Sequence, residues 1–503
     1  MAASVDRTPV PDNPEEIIVS SSGPQRFQST VIDPAEVKTL AKRVRGPVLT
    51  PEDEGYDIER AGYQLARQHR PDLVVGATGT TDVRAAVEFA RSHALPVAVQ
   101  GTGHASAGIA GEGGVLINTT RMTGVRVSLE TNTAWVAAGT RWDEVIHEAA
   151  PAGLAPLSGS YPGLAVVSYT LAGGLSLLSR RYGYAADHVR SIDVVTADGQ
   201  LRHVTEESYP DLFWGLRGGR DNFGVVTGIE IGLVPITMLY GGSLQFPGEL
   251  AAEVFDTYLR WTATVPDEMS SSIMQMSYPD IAAFPEALRG RQAVHVRIAY
   301  AADVLDAAEN LVEPLRALGP TSDTLRVLPY TEAGSIYADP PFPGSIEAST
   351  TLLGELDTTA VRTILALAPP HAPVPHIFEL RHLGGRLALP PAVANAVGNR
   401  DARYLFNVVS RLERADITEI RPAHKRMLEA LVPWSTGGRL LNFMNGEDAA
   451  QEVRSAYEPE DYQRLTEIKA VYDPDNTFRL NHNIPPANPT SAVNRNEEGS
   501  PAA

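Results

Sequence analysis

The chain has 503 residues, more than one core of ordinary size accommodates, and its 43% hydrophobic and 20% charged residues suit a globular protein of two domains. A net charge of −19 disfavours nucleic acid and anionic membranes as partners. The lack of cysteine removes disulfides, thiolate metal sites, iron–sulfur clusters and cysteine nucleophiles, and no metal site is expected. The start, Met1-Ala-Ala-Ser-Val-Asp-Arg-Thr-Pro9, has no apolar segment of a secretory signal, and no run reaches transmembrane length, so a cytoplasmic chain is expected. Arginine far outnumbers lysine (Lys38, Lys42, Lys425 and Lys469), the codon bias of a GC-rich bacterial genome.

Residues 1–40 read as a flexible leader, rich in Pro, Ser and acidic groups up to about residue 30. Leu73-Val-Val-Gly76 is a short buried strand, Thr81 caps a helix carrying Val83, Ala86, Val87 and Ala90 on one face, and Val97-Ala-Val99 is the next strand. Val115-Leu-Ile-Asn118 follows. Val125, Val127 and Leu129 alternate into a turn at Glu130-Thr-Asn132 and return through Ala134, Val136 and Ala138, a hairpin. A second hairpin runs through Ile192, Val194 and Thr196, turns at Asp198-Gly199 and returns through Leu201 and His203. From 237 to 440 the pattern changes. Gly241–Phe246, Ser270–Met276, Ala293–Tyr300, Ile377–Leu380 and Tyr404–Val409 read as strands. One helix carries Ala252, Val254, Phe255, Tyr258 and Leu259, and another Val304, Ala307, Leu311, Leu315 and Leu318. These predict a second, α+β domain: an antiparallel sheet with helices on one side. Residues 441–486 hold a helix with Tyr462, Leu465, Ile468 and Tyr472, and 487–503 read as a disordered polar tail.

Pro96-Val-Ala-Val-Gln-Gly-Thr-Gly-His-Ala-Ser-Ala-Gly108 sets His104 in a glycine-rich turn behind an apolar run. Gly101, Gly103 and Gly108 lack a Cβ, so the backbone can take positive φ and press against a bulky ligand such as a pyrophosphate. A histidine there is either a nucleophile toward an electrophilic cofactor or an incidental loop residue. The third glycine of a dinucleotide fingerprint is absent, with Ser106 in its place, and the chain has no P-loop and no H-E-x-x-H. Three further blocks follow. They are Gly159-Ser-Tyr-Pro-Gly-Leu-Ala-Val-Val-Ser-Tyr-Thr-Leu-Ala-Gly-Gly174 running into Leu177–Val189, then Asp211-Leu-Phe-Trp-Gly-Leu-Arg-Gly-Gly-Arg-Asp-Asn-Phe-Gly-Val-Val-Thr227, and finally Tyr472-Asp-Pro-Asp-Asn-Thr-Phe-Arg-Leu-Asn-His-Asn-Ile-Pro-Pro486.

In this order the four blocks resemble the berberine-bridge-enzyme-like flavoprotein oxidases of the vanillyl-alcohol-oxidase superfamily, over roughly residues 56 to 486. The resemblance implies a two-domain α+β, PCMH-type FAD-binding fold. FAD would lie in residues 41–236 (core about 69–236), the substrate domain would be 237–440, and 441–486 would return to the FAD domain. It implies one FAD per chain, its pyrophosphate against the turn of Val99, Gln100, Gly101, Thr102, Gly103 and Gly108. His104 matches the histidine bonded to the flavin 8α-methyl carbon, a bond that fixes the ring and raises its potential. The alternative is a hydrogen-bonded histidine beside non-covalent FAD. Many relatives attach a cysteine to flavin C6. Tyr161 stands there, so attachment runs through His104 only, and Tyr161 stacks on the isoalloxazine, hydrogen-bonds in the substrate cavity or fills space. Pro162, Ser168, Thr170, Gly173 and Gly174 fall at cofactor positions, although the family's Val-Gly-x-Gly-Gly is here Leu164-Ala-Val-Val-Ser168. Tyr169 stands where some relatives have a histidine near the ribityl chain. His188, Val189, Gly224 and Val226 match contacts to the adenosine half through the backbone. Asn481 and Asn483 match positions near the flavin pyrimidine edge, with loop capping as the alternative.

The family's catalytic base is missing. Its Leu-Asn-Tyr is Leu441-Asn442-Phe443 here, and a glutamate used by some relatives falls at about Val408. The candidates left are Tyr161, Tyr169, Glu379, His382 and Tyr404. Glu379 either faces the cavity, where burial raises its pKa, or points to solvent. The base is relocated, or the substrate needs none, as with a hydroquinone or an amine. The resemblance implies an FAD-dependent oxidase of bacterial secondary metabolism, as in antibiotic biosynthesis. A small molecule gives a hydride to flavin N5 and O2 reoxidises the flavin, in a monomer or homodimer. The alternatives are an oxidase that protects an antibiotic by reoxidising its reduced form, and a drug-binding flavoprotein with diminished turnover.

Overall fold

The computed structural model describes residues 32–105, 111–282, 284–370, 372–445, 449 and 451–488. The leader as far as residue 31, Ser106, Gly108 and the tail from residue 489 lie outside the described residues. The fold is α+β, and three sheets organise it.

Apolar, β-branched runs make the first sheet. Leu73–Gly76, Val115–Asn118 and Val97–Gln100 pair in parallel in that order, and Val48–Leu49 adds an antiparallel edge. The connection between the parallel strands is the helix Thr80–Ser92, which buries Val83, Ala86, Val87 and Ala90. Thr81 does not cap this helix. Gly79 precedes it, and the first-turn Asp82 carboxylate instead accepts from the Thr78 amide (2.9 Å) and hydroxyl (2.7 Å). The turn bearing His104 follows the last residue of Val97–Gln100, at the carboxyl end of a parallel strand, where open α/β sheets place ligands.

The second sheet is antiparallel, ordered Val125–Ser128, Thr133–Ala137, Val225–Gly232, Val189–Val195, Leu201–Val204, and contains both expected hairpins. The third has eight strands, all antiparallel. Its central members are Met238–Pro247, Gln292–Tyr300, Met269–Ser277, Ile377–His382, Tyr404–Arg411 and Ile346–Leu353 in spatial order. Strand alternation splits its two faces. Phe378, Leu380, Phe406, Val408, Ile273 and Val296 pack against helices Ala251–Thr262, Ala308–Arg316 and Thr358–Leu367 through Val254, Phe255, Tyr258, Val312, Val361 and Ile364. Burying each such side chain contributes about 1.5–3 kcal/mol. Glu379 and Arg381 lie between these core positions and so occupy the opposite face.

Two further expectations are corrected. The helix read from Val304 to Leu318 spans only Ala308–Arg316, and Val304 is exposed. Ile346–Leu353, read as no element, is a sheet strand paired along its length with Tyr404–Arg411. Helix Pro459–Tyr472 packs against helix Pro210–Gly219. No helix of the described residues is long and apolar enough to cross a membrane.

Candidate functional site

A cavity of about 230 Å³ lies beside the turn after Val97–Gln100. Val99, Gln100, Gly101, Thr102, Gly103 and His104 line one side, and Gly159, Ser168 and Tyr169 another. Arg381, Asn442 and Phe443 close it from the third sheet and the segment after it. A smaller cavity of about 40 Å³ shares Val99, Gly101, Ser168 and Arg220, and adds Thr119 and Val226.

The turn is rigidly seated. Gly103 has φ +68°, and a Cβ there would sit 2.5 Å from the Gly62 Cα, so only glycine fits. The Tyr63 amide donates to Thr102 O (2.9 Å) and the Gln64 amide to Gly103 O (3.1 Å). On its other edge the same segment meets Gly344, whose amide donates to Tyr63 O (3.0 Å) and whose carbonyl accepts from Leu65 N (3.0 Å). The Tyr63 ring stacks on His104 at 3.9 Å between centroids, 11° from parallel. His104 Nδ1 shares a hydrogen bond with Thr102 Oγ1 (2.9 Å), while its buried Nε2 has no partner. Burial, with the Arg141 charge, holds the imidazole pKa down to about 3, so the ring is neutral.

Asn442 ties the opposite wall. Its Oδ1 accepts from Gly174 N (2.7 Å) and its Nδ2 donates to Tyr169 O (3.0 Å), which fixes the positive-φ pair Gly173–Gly174. The Tyr169 hydroxyl is buried without a partner, and burial raises its pKa well above the ordinary phenol value. Thr170 is buried, its hydroxyl also unpartnered, and it does not line the cavity.

Other expected residues are placed differently. Tyr161 is not part of the cavity wall. Its ring lies 5.7 Å from His104, and its hydroxyl reaches only Pro341 O at 3.4 Å. Pro162 sits in the neighbouring turn, its carbonyl accepting from Asp143 N (2.9 Å). His188 shares a hydrogen bond with Tyr182 O (2.8 Å), and Val189 begins a strand. Neither lines either cavity. Gly224 packs against Val195 O, and Val226 lines the smaller cavity. Asn481 caps locally through Nδ2 to Phe478 O (3.2 Å), yet its Oδ1 and that of Asn483 are buried without partners.

The candidate bases are redistributed. Glu379 is buried, so it does not point to solvent, and the expected rise of its pKa is corrected. Burial pushes the carboxyl up, but the Arg381 and Arg297 guanidiniums outweigh this and the net shift is downward. Glu379 Oε2 accepts from Arg381 Nε (2.7 Å) and Oε1 from Arg297 Nη1 (3.3 Å), and neither oxygen reaches the cavity. Tyr404 bonds Thr262 in the helix-covered core (2.7 Å), and His382 meets Arg180 (3.0 Å). Both charged wall residues were missed. Arg381 is two residues from Glu379 on one face of a strand, a signal the sequence carried. Arg220 stands between Gly219 and Asp221 with φ +57°, a strained backbone that its residue type gave no sign of.

Family models match an FAD binding domain over residues 71–205 and a "berberine and berberine like" region over 441–485. The chain is 30% identical over 464 residues to (R)-6-hydroxynicotine oxidase of Paenarthrobacter nicotinovorans, covering 88% of this chain and 97% of that protein. The crystal structure of 6-hydroxy-D-nicotine oxidase from Arthrobacter nicotinovorans superposes with a TM-score of 0.76 at 25% identity, over 88% of this chain and 98% of the other. A xylooligosaccharide oxidase from Myceliophthora thermophila shares the fold at 18% identity, with a TM-score of 0.78 over 90% and 99% of the two chains.

Proposed function

Because the chain belongs to the berberine-bridge-enzyme-like FAD-linked oxidoreductases, with the PCMH-type fold and FAD as cofactor, we propose that it oxidises a small secondary metabolite bound between the His104 turn and the third sheet, with O2 as final acceptor. The observation that carries this reading is one cavity wall holding a neutral histidine with a buried, unpartnered nitrogen. The residues fit the cofactor. A glycine turn permits close approach, and unpartnered polar atoms on His104, Tyr169, Asn481 and Asn483 lie in the matched blocks. When bound, FAD supplies a two-electron acceptor that O2 restores.

The chain's own residues divide the remaining work. His104 is the proposed single attachment point, a neutral nucleophile oriented by Tyr63 and Thr102. Tyr169, with its raised pKa, keeps its proton, and its unpartnered hydroxyl is available to donate a hydrogen bond to a bound group. Phe443 stands at the wall and takes no proton. With no carboxylate among the described lining residues, the proton lost from substrate leaves without a side-chain base, as a hydroquinone-like group allows.

An electron donor from a panel of metabolites should bleach the flavin anaerobically, and air should restore the colour with release of peroxide. Colour should remain with acid-precipitated polypeptide and be lost in His104→Ala. Tight metabolite binding without bleaching across the panel would replace this reading with that of a drug-binding flavoprotein.

A further inference from the structure

The cavity beside His104 carries charge of one sign. Among the described residues lining it, the charged side chains are Arg220 and Arg381. His69 and His104 are neutral, held down to about 4 and about 3 by burial. The two cations stand in different places. Arg220 is shared with the smaller cavity beside the glycine turn, near Asp221 (3.7 Å) and in a hydrogen bond with His482 Nδ1 (3.0 Å).

Arg381 stands on the sheet side. Its guanidinium lies 4.9 Å from the Tyr337 ring centroid and 5.2 Å from that of Phe443. Glu379 occupies Nε, and neither Nη forms a hydrogen bond with a described residue. Rings thus steady the guanidinium, the carboxylate anchors one edge, and the edge bearing both Nη groups is left over. Glu379 is also shared with Arg297, so two guanidiniums face one carboxylate. Asp339 acts on Arg381 from outside the wall, where it accepts from Ser160 Oγ (2.7 Å). The wall it shares mixes apolar Leu164, Ala172, Leu175 and Phe443 with neutral polar groups such as Gln100, Thr102, Ser168 and Asn442 and has no carboxylate among the described lining residues, so a guanidinium edge there is poorly compensated until an anion meets it.

We propose that Arg381 receives the carboxylate of the substrate: the molecule bound here is a small, mainly apolar carboxylic acid, docked end-on against Nη1 and Nη2. The planar fork suits a carboxylate, and the Leu164, Leu175 and Phe443 side chains suit the remainder of such a molecule. This rests on the proposed oxidase reading and narrows its substrate, since the same charge disfavours a cationic amine.

Benzoate, benzyl alcohol and benzylamine share one ring and differ in charge. Titrated into the FAD-loaded enzyme and followed by flavin absorbance, benzoate should bind at least about 10-fold more tightly than benzyl alcohol, with benzylamine weakest. Arg381→Met should weaken benzoate by about 10-fold or more and leave benzyl alcohol within about 2-fold. Arg381→Met combined with Glu379→Gln keeps the local charge balanced if the single variant does not fold. Equal binding of the three ligands by the wild-type enzyme overturns the proposal. So does an Arg381 variant that shifts only the flavin midpoint potential and leaves benzoate affinity unchanged, because the guanidinium then serves the cofactor. Failure of the oxidase reading shows separately, as flavin that no donor bleaches while benzoate still perturbs its spectrum.

Discussion

At the scale of single residues, His104 is held on three sides: the Tyr63 ring, Thr102 Oγ1 and a turn that only glycine at 103 permits. That histidine and its glycines were legible because their types carry the chemistry. Arg220 was not, since nothing in an arginine announces a backbone at φ +57°. Such strain costs roughly 1–3 kcal/mol and persists where the surroundings enforce it. In a His104→Ala background, Arg220→Gly should raise the FAD dissociation constant about 10-fold or more, because a buried cation is lost from the wall of both cavities. The thermal midpoint of the FAD-free protein should move by less than about 4 °C, strain relief offsetting the lost hydrogen bond to His482. Tyr161→Phe removes only a 3.4 Å contact, so turnover should stay within about 2-fold with flavin content unchanged. A loss of about 100-fold would restore Tyr161 as a proton acceptor.

At the scale of elements, Ile377–His382 shows what strand alternation gives and withholds. Period-two patterning predicts that Phe378 and Leu380 share one face and Glu379 and Arg381 the other. It does not say that Arg297 of a non-adjacent strand reaches across to the same carboxylate. Ile346–Leu353 escaped notice for a related reason: buried Glu347, Thr350 and Thr351 break its hydrophobic pattern. Glu379→Gln should destabilise the protein by about 3–5 kcal/mol, read from chemical unfolding, since it leaves two guanidiniums poorly compensated. The sign of its pH dependence follows from its lowered pKa. The stabilisation is present above the unfolded carboxyl value near 4.5 and is lost as pH falls through the lower folded value, so the variant should show a flatter acid limb.

At the scale of the whole molecule, seven histidines among the described residues have folded pKa values of about 2 to 4, each lowered first by burial: His69, His104, His295, His376, His382, His424 and His482. Below the unfolded value near 6.5 the unfolded chain binds more protons than the folded one, so stability is complete above that pH and declines as pH falls. Each contributes about 1.4 kcal/mol per pH unit, so two or three suffice against a total of about 5–15 kcal/mol. The urea midpoint should therefore drop steeply from about pH 7 to about pH 5, and an unchanged midpoint would refute the account. The segment Tyr63–Leu65 has a consequence in time as well as in space. One edge completes the histidine turn and the other rests on Gly344, just before the strand Ile346–Leu353. Two parts of the chain separated by over two hundred residues must meet before that turn is whole. The histidine turn is therefore complete only where the large sheet is also in place, and flavin attached through His104, as proposed above, would be a chemical record that both have folded.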